Sequence, residues 1–350
     1  MKLLNNVTPK NKSWLLGTLV HRFDTCVIRD VYLRNPNDFS WENINQKTIC
    51  YLDDEMFFQD YSWGPFFNMA LKTLDRKNVV FIIKVEEFYL QAKLAGLPCV
   101  YEPLFHILDD LLGISKTKVL PQVKEYSDQL SYYCLNRNES NTRVEILRQL
   151  FSRGLLEHGY VTANFKLTED IASKLKQDPY LNEVYHKNIS SPERISTELH
   201  NIPISLNAHN AFHIAHSIPG AIALVSDTEL APDNFFPCEK GVLPFLTKRI
   251  PLVVGHVHQM QLFRNEGFDM FDDLVNYEYD DIPFKDIKNK VTSCLDKNND
   301  LLKEKSIQNR VDFNNRVCYN QSYIVNQWLE NKVTIFLNNI EECLNDSSRT

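Results

Sequence analysis

AIALVSDTELAPDNFFPCEKGVLPFLTKRIPLVVGHVHQMQLFRNEG, residues 221–267, sets two apolar runs against two segments of helical spacing. AIALVSDTE (221–229) reads as a strand ending in acids, and PLVVGH (251–256) as a second strand. EKGVLPFLTKR (239–249) reads as a helix between them, and HQMQLFRNEG as a helix that stops at Gly267. Short, continuous apolar runs suit strands buried on both faces. Their alternation with helices predicts a parallel sheet covered on both sides. Right-handed crossovers bring the carboxyl ends of such strands to one rim, where ligands bind.

The same rhythm extends upstream. LSYYCLNRN (130–138) predicts a strand. ESNTRVEILRQLFSRGLLEHG predicts a helix with Ile146, Leu147, Leu150 and Phe151 on one face, and YVTANF (160–165) the next strand. About 50 less regular residues follow, in keeping with an insertion or lid. Nearer the N-terminus, residues 18–33 and 47–54 read as strands and 63–77 as a helix. NVVFIIKVEEF (78–88) reads as a buried strand ending in acids, and residues 101–115 as a helix. The polar stretch KTKVLPQVKEYSDQ, with Pro121, separates the two halves. The expected domains are therefore 1–125 and 126–300, with C-terminal helices over 301–350.

Composition excludes several classes. The 350 residues are 43% hydrophobic, enough for two cores, and only 10 are Gly, which argues against a turn-rich all-β fold. A net charge of -7 gives no support for a nucleic-acid surface. The eight cysteines form no C-x-x-C pair and read as reduced thiols. The opening MKLLNNVTPKNKSW lacks the apolar core of a signal peptide, and no run approaches a membrane span. A soluble, cytoplasmic protein is expected.

The residues just past each predicted strand carry the functional reading. Asn136, Arg137 and Arg143 follow the strand at 130; Ser226, Asp227, Thr228 and Glu229 follow the strand at 221, ahead of Glu239 and Lys240. His256 and His258 follow the strand at 251. Cations on such a rim beside a helix N-terminus suit a phosphate, and a nearby carboxylate suits a sugar hydroxyl. Taken singly, each is also an ordinary solvated charge or helix cap. His209, His213 and His216 have helical spacing for a metal, but no HExxH and no clear third ligand accompany them. G-x-S-x-G, G-x-G-x-x-G and Walker motifs are absent.

Two blocks carry a resemblance. YYCLNRNESNTRVEILRQLFSRGLLEHGYVTANF and the run from Ala223 to Ile282 resemble a glycosyltransferase-like family of phages, giant viruses and bacteria. They are also similar to the donor domain of α-1,3-fucosyltransferases, and the likeness covers roughly residues 130–290. The resemblance implies an α/β fold of GT-B type: two Rossmann-like domains with parallel sheets facing across a cleft, and C-terminal helices that pack back on the first domain. It implies transfer of a hexosyl- or fucosyl-type sugar from a nucleoside-diphosphate sugar to a hydroxyl acceptor on a glycan or glycoconjugate. No metal and no cofactor are implied, and the location is the cytoplasm, that of the host if the chain is viral. Arg143 and Lys240 would contact the donor diphosphate, Glu239 the ribose or sugar, and Asn136 and Arg137 would line the pocket. The sequence departs from the family pattern at Cys238 and Gly241, where Ser and Thr are usual, and at Asp227-Thr228, where Glu-Thr is usual. An inverting enzyme needs a base, for which Asp53, Asp54, Glu86 and Glu87 are candidates. A non-catalytic nucleotide- or glycan-binding protein and a nucleotide-sugar epimerase are the alternatives.

Overall fold

A computed structural model describes residues 14–32, 47–53, 78–105, 107–109, 111–112, 130–136, 140–163, 220–227 and 239–346. In chain order its principal elements are helix α1 (Trp14–Arg22) and strands β1 (Val27–Tyr32), β2 (Thr48–Asp53) and β3 (Val79–Ile83). Helix α2 (Glu86–Leu94) and strands β4 (Cys99–Tyr101) and β5 (Tyr132–Asn136) follow, then α3 (Asn141–Ser152), β6 (Gly159–Ala163) and β7 (Ile222–Ser226). After these come a 3-10 turn (Glu239–Gly241), α4 (Leu243–Leu246), β8 (Ile250–Val254), α5 (Gln259–Asn265), α6 (Ile287–Lys297) and α7 (Phe313–Tyr323). A π-helical turn (Ile324–Trp328) leads into α8 (Leu329–Asn345).

The chain divides into two compact units. Described residues up to 112, together with 329–346, make the first; 130–227 and 239–328 make the second. Both are α/β, each with a four-stranded parallel sheet. In the first unit the order is β1-β2-β3-β4. All five residues of β3 are buried, and α8 packs on β3 and β4, with Phe336 edge-on to Phe105 at 6.0 Å. In the second unit the order is β6-β5-β7-β8. Every residue of β7 and β8 is buried, as a parallel sheet covered on both faces requires. One face of that sheet, with Tyr132, Cys134, Leu224 and Leu252, packs with Ile146 and Leu150 of α3 and Val291 of α6.

Several expectations change in detail. The run 18–33 is not one strand: α1 occupies it to Arg22, because Leu15, Leu16, Leu19 and Phe23 bury one helical face. Glu86 and Glu87 do not end a strand; they lie in the first turn of α2, where the helix dipole favours acids. Tyr101 ends β4, a three-residue strand too short to show a period. The helix expected over 239–249 is a 3-10 turn and a single α-helical turn, with Pro244 inside it and Lys248 in the left-handed region at φ 55 just after it. The helix expected at 63–77 lies outside the described residues. No helix among the described residues is long and apolar enough to cross a membrane.

Within the second unit, α7 is tied to the 268–275 segment. Arg316 grips Asp269 through two bonds of 2.6 and 2.7 Å, reaches Asp273 at 2.8 Å and stacks over Phe271. Burial pushes the Asp269 carboxyl up, but the bonds from Arg316 and from the Phe271 amide together hold it below the ordinary value. A depressed carboxylate stabilises the fold above its unfolded pKa, and that stability is lost as pH falls through the folded value. Arg316→Ala should cost about 1–2 kcal/mol at pH 7, the half-exposed setting being discounted for solvent screening. Urea titrations of both proteins should show this gap closing as pH falls below the normal carboxylate range toward 3. A gap of the same size at pH 3 would mean that the packing on Phe271, not the ion pair, carries the effect.

Candidate functional site

The strand order of the second sheet creates the site. The chain starts in the middle with β5, moves outward to β6, then returns to the other side of β5 as β7 and β8. β5 and β7 are therefore the neighbours between which the winding reverses. Connections leave such neighbours in opposite directions, which opens a crevice at their carboxyl ends. Here β5 and β6 pair over five residues, as do β7 and β8. β5 and β7 pair only through Tyr132↔Ile222 and Tyr133↔Ala223, at their amino ends.

Arg143 reaches into that opening. Ser140 caps α3 by accepting the Arg143 amide at 3.3 Å, which fixes the first turn. From that turn the Arg143 side chain donates Nε to the Ser226 hydroxyl at the end of β7, at 3.2 Å. Arg143 is 7% exposed, and Asn136 and Ser226 are buried with it. Asn136, the last residue of β5, donates Nδ2 to the Cys134 sulfur at 3.3 Å. Burial pushes the Cys134 thiol up to about 12, against opposing effects of Asn136 and Arg143. That thiol stays protonated and is not a nucleophile.

The end of β8 is fastened to the end of β7 by one side chain. Gln259, fully buried in the first turn of α5, donates Nε2 to Asp227 Oδ2 at 2.6 Å and accepts the His256 amide on Oε1 at 3.0 Å. The His256 ring stacks on Phe284 with centroids 5.7 Å apart. His258 is exposed, lies in the left-handed region at φ 60 and pairs with Asp281 at 3.2 Å. Asp280 Oδ2 accepts the amides of Met260 and Gln261 at 3.0 and 3.1 Å, capping α5 from a distant segment. Lys290 of α6, fully buried, donates to the carbonyls of His256, Asp280 and Ile282. Burial drives its ammonium down to about 8, with Asp280 opposing. Burial drives the Asp280 carboxyl up, against the amides and Lys290.

Of the residues singled out in the sequence, Asn136, Arg143, Ser226, Asp227 and His256 lie at the carboxyl ends of β5, β7 and β8. Lys240 is half-buried on the 3-10 turn that packs against β7, and Glu239 begins that turn. Arg137, Thr228, Glu229 and the three histidines His209, His213 and His216 lie outside the described residues. Asp53 ends β2 in the first unit, and Asp54 lies outside the described residues. Glu86 and Glu87 are exposed, and Glu87 bonds Gln91 along the same helix at 3.2 Å. Gln259, Asp280 and Lys290 were not legible in the sequence, because Asp227, Met260 and His256, which they bond, are 32, 20 and 34 residues away from them. Among the described residues no three of His, Cys, Asp and Glu converge as a metal site.

Compared with protein-family models, curated proteins and solved structures, the chain shows no match. The site is therefore read from its own chemistry: the carboxyl ends of β5, β7 and β8 gather Asn136, Ser226, Asp227 and His256, buried polar groups that cost stability where they sit.

Lys290 gives a pH signature. A lysine whose folded pKa is depressed leaves the unfolded chain binding more protons above that value, so stability rises with pH there. The melting temperature of wild type relative to Lys290→Met should increase between pH 8 and 10. Thermal scans of both proteins across that range check it; a constant difference would place the ammonium in contact with solvent.

Proposed function

We propose that the second unit binds the diphosphate of a nucleoside-diphosphate sugar and that the chain is a metal-independent glycosyltransferase of GT-B type. The observation that carries the reading is Arg143: a buried guanidinium, on the first turn of a twelve-residue helix, bonded across the opening between β5 and β7. Doubly wound sheets bind ligands at that point, and a helix N-terminus with a fixed cation suits a phosphate. The resemblance of residues 130–290 to glycosyltransferase-like proteins supports the same chemistry. Hexosyl or fucosyl transfer to a glycan or other hydroxyl acceptor is part of the proposal.

In this mechanism the glycosidic C–O bond to the β-phosphate breaks as the acceptor oxygen bonds to the anomeric carbon, and the acceptor hydroxyl proton passes to a carboxylate base in an inverting enzyme or to the departing diphosphate oxygen in a retaining one. Negative charge grows on the departing diphosphate. Arg143 and Lys240 stabilise that charge more strongly in the transition state than in the bound donor, which is what accelerates the step. Lys240 acts from a 3-10 turn rather than from a helix end, so its contribution is the ammonium itself. Asn136, Ser226 and Asp227 orient the groups around it.

One observation favours the non-catalytic reading, a nucleotide-binding protein. Glu86 and Glu87, two of the four candidate bases, are surface residues of a helix's first turn. Exposed there, with Glu87 accepting from Gln91 along its own helix, they sit as surface caps do.

Thermal shift with UDP, GDP, CMP and their sugars tests the binding step. One nucleotide should stabilise wild type by about 2.7 kcal/mol at a hundredfold excess over its dissociation constant. Arg143→Met and Lys240→Ala should each lose at least tenfold in affinity. Release of the nucleoside phosphate with an added glycan acceptor then separates transfer from binding alone. No shift with any nucleotide would overturn the proposal.

A further inference from the structure

We propose that Gln259 is the positioning residue of this site: a single side-chain amide that locks the carboxyl ends of β7 and β8 and seats the turn carrying Lys240. Its Nε2 holds the Asp227 carboxylate at 2.6 Å and its Oε1 holds the His256 amide at 3.0 Å, so both ends of the amide are committed. Asp227 is in turn joined to β8 through its own amide, which donates to the Val254 carbonyl at 2.9 Å. Gln259 itself is fully buried.

Two glycines record how closely the backbone approaches this amide. A Cβ at Gly241 would lie 2.7 Å from Gln259 Nε2. A Cβ at Gly255 would collide with Gln259 Oε1 and lie 2.8 Å from Asp227 Cβ. Both distances are shorter than side chains tolerate, so glycine is required wherever Gln259 keeps its place. Gly241 directly follows Lys240, and the 3-10 turn from Glu239 to Gly241 therefore rests on the Gln259 amide. The inference rests on the proposed function only for what the turn holds; the strut itself is a matter of geometry.

Gln259 acts through other residues, and a packing role alone would be indifferent to its hydrogen bonds. Gln259→Glu keeps the shape and the acceptor for His256 but sets a second carboxylate oxygen against Asp227. Two carboxylates that close share one proton, which raises the pKa of the pair. A raised pair stabilises the fold below the unfolded carboxylate pKa and loses that stability as pH rises through its folded value. The charged and titratable groups on the surrounding elements are Asp227, Lys240, His256, Asp280, Lys290 and, bonded to Ser226, Arg143.

The experiment is urea unfolding of the full chain from pH 4.5 to 8, with no ligand, for wild type, Gln259→Glu and the volume-matched Gln259→Met. Gln259→Glu should lose stability steadily with rising pH relative to wild type, and Gln259→Met, which removes one donor from the buried Asp227 carboxylate, should do so less steeply. Gly241→Ala should be destabilising in wild type and much less so when combined with Gln259→Ala, which removes the atom the new methyl meets. Parallel pH profiles for Gln259→Glu and wild type, or additive effects in the Gly241/Gln259 pair, overturn the strut whether or not any nucleotide binds. If wild type binds a nucleotide, Gln259→Met should weaken binding at least tenfold while still folding cooperatively; unchanged affinity overturns the positioning role. If wild type binds none but the pH and pair results hold, the strut stands and the proposed function fails.

Discussion

The guanidinium of Arg143 sits at 7% exposure at the edge of an apolar sheet. Removing an ion from water costs several kcal/mol unless nearby groups replace the lost solvation. In the second unit those groups can stand only where the sheet stops being apolar. Along β7 and β8 every side chain is buried, so no polar group is admitted until Ser226, Asp227 and His256. The guanidinium, the two-pair ladder of β5 with β7 and the polar strand ends come together there.

The segment after β8 shows how such a place is kept in shape without a regular element. His256, the turn at His258 and the first turn of α5 expose amides and carbonyls that secondary structure does not satisfy. Gln259, Asp280 and Lys290 satisfy them from different parts of the chain: an amide for His256 N–H, a carboxylate for Met260 and Gln261, an ammonium for three carbonyls. Each is a buried polar group, and for Asp280 and Lys290 the bonds offset only part of the desolvation. This places two ionisable groups, Asp280 and Lys290, within one buried network behind the site.

Much of this was legible in the sequence, and the failures have physical causes. β5, β7 and β8 announced themselves as short apolar runs because both faces of a parallel sheet are covered. α3 announced itself through Ile146, Leu147 and Leu150 on one face, while its Ser140 cap came only with the structure. Residues 18–22 were misread as strand because LVH and VIR look alike as apolar fragments; only burial of Leu15, Leu16 and Leu19 along one helical stripe separates them. The helix expected at 239–249 was shortened by Pro244 and by the demand that Gly241 approach Gln259. Glu86 and Glu87 read as the acid end of a strand when their place was the first turn of the helix that follows it.

The sequence by itself determined the α/β class, the positions of the second sheet's three apolar strands and the presence of Arg143 one turn into a helix, because periodicity is local. Tertiary structure alone decided that the order would be β6-β5-β7-β8 and that β5 and β7 would part after two residue pairs. It also decided that Arg143 would meet Ser226, 83 residues away, and that Gln259 would meet Asp227, 32 away. Hydrogen bonds over such separations leave no period in the chain; they exist only once the packing of the sheet has brought its strand ends together.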